Sequence, residues 1–96
     1  MINKNEMSLG EAIEAVFRRY GLQDKVDGAR LIQSWEPVVG QMIASHTTDL
    51  YLKNKTLFVY LDSDALRHEL SFAKSLIIKK LNAEAGKEII DNIVFS

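Results

Sequence analysis

The stretch from Asp62 to Gly86 (DSDALRHELSFAKSLIIKKLNAEAG) limits the folds open to this chain more than any other part of it. Asp62, Ser63 and Asp64 can each cap a helix by accepting bonds from its first free N–H groups. Gly86 suits the left-handed residue that follows a last helical turn. Between these ends Leu66, Leu70, Ala73, Ile77 and Leu81 recur every three or four residues, so the spacing predicts one long helix with a continuous apolar face. At about 100° per residue, Ala65, Phe72 and Leu76 form a second apolar face. A helix of this kind is packed on two sides, by a sheet and other helices, or else turns its second face to a partner protein.

Ahead of this helix, residues 1 to 7 read as a flexible lead-in. Ser8-Leu9-Gly10-Glu11 has the form of a capping box, and the helix it opens carries Leu9, Ala12, Ile13, Val16, Phe17 and Tyr20 on one stripe before Gly21 ends it. Arg18 and Arg19 fall on the last turn, where positive charge is favoured. A second helical stretch from about Asp24 to Ser45 keeps Ala29, Ile32, Trp35, Val39, Met42 and Ile43 in helical spacing. Pro37 forces a break near Trp35 and Glu36 and belongs in the first turn of a short new helix. Gly40 is expected inside that helix, admitting the close approach of another backbone.

Two alternating stretches, Thr47 to Lys53 and Thr56 to Leu61, predict strands joined at Asn54-Lys55 by a tight turn. Leu50 and Leu52 share one face, as do Leu57, Val59 and Leu61. Tyr51, Phe58 and Tyr60 point the other way, where they can stack bases or, more economically, cover the sheet against a helix. Ile89 to Phe95 predicts a third strand, with Ile93 and Phe95 facing opposite to Val94. The order helix, broken helix, strand, strand, long helix, strand makes this an α+β chain, with helices on one face of a small antiparallel or mixed sheet. At 96 residues and 47% hydrophobic content it is one domain, able to fold without metal or disulfide staples.

Chemistry is sparse. The chain has no cysteine, which removes disulfide and zinc-knuckle readings. His46 and His68 lie in unlike contexts, and His68-Glu69 lacks the i, i+4 ligand spacing of a helical zinc pair. Asp62 and Asp64 suit a helix N-terminus. No phosphate-binding glycine loop, signal peptide or membrane-length apolar run is present, so the expectation is a non-enzymatic chain with no cofactor, metal or small-molecule substrate, compatible with a cytoplasmic location without establishing it. The net charge of −1 argues against strong autonomous binding of nucleic acid. Lys53, Lys55, Arg67 and Lys74 are the candidates for a weak phosphate-contacting patch; solvated helix faces also look like this. Phe72 and Leu76 are the candidates for contact with a partner protein.

Three separated pieces resemble the bacterial DciA family. Trp35-Glu36-Pro37-Val38-Val39-Gly40 followed by His46-Thr47 is similar to its W…G…HT stretch. Leu57 to Ser63 resembles its strand leading into a helix, and Glu69-Leu70, Leu81-Asn82, Gly86 and Ile93-Val94-Phe95 resemble its closing portion. The resemblance covers roughly Leu9 to Phe95. It implies a KH-like domain, once a domain of unknown function, in a protein that contacts the replicative helicase DnaB and assists its loading onto DNA in bacterial replication without being an ATPase. DNA is a further partner it suggests. Two departures stand beside it: the sequence ends at Ser96, without the basic extension of longer members, and no two glycines are spaced as G-x-x-G, the loop with which KH domains clamp a nucleic-acid backbone. A small nucleic-acid-binding module and an oligomerising structural module are the alternative functions.

Overall fold

The computed structural model describes residues 7–96. The expected lead-in, apart from Met7, lies outside the described residues. Ser8 caps α1 (Leu9–Arg19), its Oγ accepting a bond from the Glu11 N–H at 3.1 Å. Three helices follow, α2 (Gln23–Gln33), α3 (Trp35–Val39) and α4 (Gln41–Ser45). The expected break falls at Ser34, whose hydroxyl donates to the Arg30 carbonyl at 2.9 Å and so competes with the helical ladder. Pro37 lies in the first turn of α3, as expected.

Gly40 does not lie inside a helix. It makes a second break, between α3 and α4, with φ +91°. A Cβ there would meet nothing within 4 Å, so the left-handed backbone requires glycine and close approach does not. The close approach is at Gly28 on α2, where an added Cβ would lie 3.1 Å from Leu52 Cδ2.

β1 (Thr47–Lys53) and β2 (Thr56–Leu61) have the expected bounds and pair antiparallel, with a bulge between Thr47 and Asp49. Asn54 and Lys55 have φ of 54° and 63°, the two positive values that a tight primed hairpin turn needs. β3 is Asn92–Phe95 and runs parallel to β2, giving the sheet order β1-β2-β3. It is shorter than expected because Ile89 and Ile90 donate their N–H groups to Asn82 Oδ1, at 2.9 and 3.1 Å, while Asn82 Nδ2 donates to the Ile90 carbonyl at 2.8 Å. Those backbone groups belong to a loop fastened to the preceding helix.

The long helix predicted for 63–85 is two helices, α5 (Asp64–Ser71) and α6 (Lys74–Ala85). At the elbow the Ser71 hydroxyl takes the His68 carbonyl at 2.6 Å, and the N–H groups of Phe72 and Ala73 bond three residues back, to Glu69 and Leu70. Such tightening ends a helix without glycine or proline. Ser63 supplies the cap of α5, its Oγ accepting from the Leu66 N–H at 3.2 Å. Across the bend α5 touches β2 and β3, while α6 touches α2 and α3 as well as β3. Gly86 ends α6 in the left-handed conformation.

The core joins Leu31 and Trp35 to Leu57, Val59, Leu61 and Ile93 of the sheet and to Leu70, Ile77, Leu81 and Ala85. The stripe read from the sequence therefore survives the bend. The second face does not pack: Ala65, Phe72 and Leu76 are exposed, Phe72 at 77% and Leu76 at 55%. Leu57, Val59 and Leu61 carry the core face of β2, and the aromatic row lies on the other face, with Tyr51 exposed and Phe58 and Tyr60 half-buried. α1 buries none of its residues. With the arm it forms, the molecule measures 59 × 22 × 21 Å, and its radius of gyration of 16.4 Å exceeds the roughly 13 Å usual at this length.

Candidate functional site

Pairing of β1 with β2 and β2 with β3 sets Tyr51 opposite Phe58, and Phe58 opposite Val94. Tyr60 stands one pleat further along. The Tyr51 and Phe58 rings stack with centroids 4.8 Å apart, the Tyr51 and Tyr60 rings at 6.0 Å, and the two phenol oxygens lie 3.4 Å from each other. That hydrogen bond, with burial and the nearby Asp49 carboxylate, pushes the Tyr60 phenol up from its usual range. Lys53 lies on the same face, beyond Tyr51. The surface is a preformed aromatic plate with a cation at one end and a carboxylate at the other.

The four candidate cations do not form one patch. Lys53 and Lys55 flank the hairpin tip, where β2 begins at Thr56. Arg67 lies at the far end of β2, donating from Nη1 to the Leu61 carbonyl at 3.0 Å and from Nη2 to Asp64. Lys74 stands over the Phe95 ring, 5.9 Å from its centroid. Thr56 to Leu61 is five residue steps, about 16 Å at roughly 3.3 Å per residue. Arg67 is tied into the structure as the strut that fixes α5 to the end of β2, whereas both hairpin lysines are exposed.

The two partner-contact candidates share the elbow. Phe72 closes α5 and Leu76 lies in the first turn of α6, four residues on. The His68 ring meets Phe72 edge-on at 4.9 Å, which orients the exposed ring. A rigid bend displaying two large apolar side chains has the form of a protein-contact knob.

The two histidines have separate partners. His46 Nδ1 is 2.8 Å from Asp62 Oδ1, so Asp62 acts as its partner instead of capping α5. Asp64, in the first turn, pairs with Arg67. Among the described residues no three His, Asp or Glu side chains gather into a metal site, and no helix is long and apolar enough to cross a membrane. The motif residues have structural partners. Trp35 Nε1 donates to Thr47 Oγ1 at 3.0 Å, Thr47 Oγ1 donates to the Ile43 carbonyl at 2.8 Å, and the His46 carbonyl accepts the Asp62 N–H at 3.0 Å. Trp35, His46 and Thr47 thus form the corner holding α3, α4, β1 and β2 together.

The family model described as "Dna[CI] antecedent, DciA" matches residues 8–95. The chain belongs to the DciA family. Curated relatives agree with it: a UPF0232 protein of Corynebacterium glutamicum (strain R) is 30% identical over 86 residues, 90% of this chain and 48% of that protein. A UPF0232 protein of Rhodococcus jostii (strain RHA1) is 25% identical over 91 residues, 95% of this chain and 48% of that protein. The DciA-family chain therefore spans about half the length of the curated relatives it matches.

Two features of the surface escaped the sequence reading. Lys87 Nζ lies 2.6 Å from the Asp27 carboxylate, which is almost fully buried and also accepts from Gln23 Nε2 at 2.9 Å. Lysine sixty residues from aspartate carries no local signal. The other is α1, whose stripe stands open in this DciA-family structure, with Leu9 79%, Ile13 43%, Val16 50% and Tyr20 68% exposed. Periodicity marks an apolar face equally well whether that face is covered or free.

Proposed function

We propose that this chain is a non-enzymatic, cytoplasmic adaptor in bacterial DNA replication that binds the replicative helicase DnaB and assists its loading onto DNA. Membership of the DciA family over residues 8–95 carries the reading. The exposed elbow at Phe72 and Leu76 supports it by offering an apolar contact on a rigid frame. Residues 8–95 act in this reading as one KH-like domain, with no small-molecule substrate or cofactor of their own. Calorimetric titration of the chain into the same organism's helicase tests it. Saturable binding is expected, weakened at least tenfold by Phe72→Asp with Leu76→Asp; absence of binding at tens of micromolar overturns it.

A second reading is favoured by one observation, the stacked aromatic plate, of which Tyr51 is exposed and Phe58 and Tyr60 are half-buried. Single-stranded nucleic acid would stack its bases on Tyr51 and Phe58 while Lys53 and Lys55 meet its phosphates; Arg67 and Lys74 would serve a separate segment of strand. A salt-dependent mobility shift with a single-stranded oligonucleotide is then expected, reduced by Tyr51→Ala and by Lys53→Glu with Lys55→Glu. No shift at low salt rules this reading out.

A further inference from the structure

We propose that α1 is a self-pairing helix, and that two copies of this chain associate antiparallel through Leu9, Ile13, Val16 and Tyr20. These residues are spaced 4-3-4, the seam of a two-helix pair. All four are exposed, and α1 contributes nothing to the core among the described residues, so no described residue buries the seam.

The seam is self-complementary in one orientation only. Antiparallel pairing centred between Glu14 and Ala15 sets Tyr20 of one copy against Leu9 of the other and Ile13 against Val16. Along one flank it sets the long Arg19 side chain against the small Ala12. Parallel pairing would instead stack Tyr20 on Tyr20 and bring two Arg19 charges together at one end. The charge order agrees: Glu11 and Glu14 fall in the first half of α1 and Arg18 and Arg19 in its last turn. Antiparallel copies therefore lay each acidic half beside the other's basic half and oppose their helix dipoles. An 11-residue helix is only about 16 Å long. A single such pair lies below the roughly 1,200 Å² of a standard interface, so a weak, reversible dimer is expected.

Sedimentation equilibrium of the 96-residue chain from micromolar to submillimolar concentration reads the association directly. A monomer–dimer equilibrium is expected, weakened at least tenfold by Val16→Glu and unaffected by Phe72→Asp with Leu76→Asp, which separates this seam from the elbow. Because α1 is outside the core, Val16→Glu should keep the parent's circular dichroism and melting temperature. The chain has no native cysteine, so orientation can be read by oxidation. Mixing Leu9→Cys and Tyr20→Cys chains should give the mixed disulfide, while each alone stays unlinked. A monomer at every concentration, a dimer indifferent to Val16→Glu, or linkage of Leu9→Cys to itself would each overturn the proposal.

Discussion

At the scale of single residues, two polar groups do what no apolar side chain in the molecule can. Asn82 uses both ends of its amide to hold the loop before β3, accepting from Ile89 and Ile90 and donating to Ile90. Asn82→Ala strands partly buried backbone groups and should cost about 2–3 kcal/mol in urea unfolding. Asp27 is the other. Burial alone pushes its carboxyl up, but the hydrogen bonds from Lys87 and Gln23 and the charges of Lys87 and Arg30 outweigh that and hold it below 3.8. A carboxyl lowered in the fold contributes stability that is present above its unfolded value and lost as pH falls through the folded one. Thermal melts of the parent should therefore weaken as pH drops below 3.8, and Asp27→Asn should flatten that acid limb. Lys87→Met should cost about 1.5–3 kcal/mol at neutral pH and far less once Asp27 is protonated.

At the scale of elements, hairpins and caps were legible because each is decided within a few residues. Asn54-Lys55 fixes its turn and thereby the register of β1 on β2. Ser8 marks the start of α1, whereas for α5 the sequence leaves Asp62, Ser63 and Asp64 open and Ser63 is the cap. The bend at Phe72 was hidden because Leu66, Leu70, Ala73, Ile77 and Leu81 keep helical spacing straight through it. The serine that competes for the His68 carbonyl looks like any other surface serine. Gly40 misled in the opposite way, suggesting close contact where the chain needs only a positive φ. Gly40→Ala should cost about 1–3 kcal/mol by positive-φ backbone strain, without disturbing any neighbour. Its effect on chemical denaturation should therefore resemble that of Gly40→Ser, since the strain is set by the backbone and not by side-chain volume.

At the scale of the whole molecule, sequence order settled the α+β class but could not say which faces stay bare. Periodicity places Tyr51, Phe58 and Tyr60 together and Leu9, Ile13, Val16 and Tyr20 together; only assembly shows that neither set joins the core among the described residues. The parallel β2–β3 pair uses α5 and α6 as its crossover, and the bend between them leaves Phe72 and Leu76 outside. The described residues thus form a core that carries a half-exposed aromatic plate, an apolar elbow and an apolar arm. The adaptor reading proposed above needs surfaces of this kind, and it gives the elbow to the helicase. The most direct test is calorimetry of this chain with the replicative helicase of its own organism. The account predicts a saturable isotherm with the parent chain and at least a tenfold loss with Phe72→Asp and Leu76→Asp. A flat trace from a folded parent chain at tens of micromolar would contradict it.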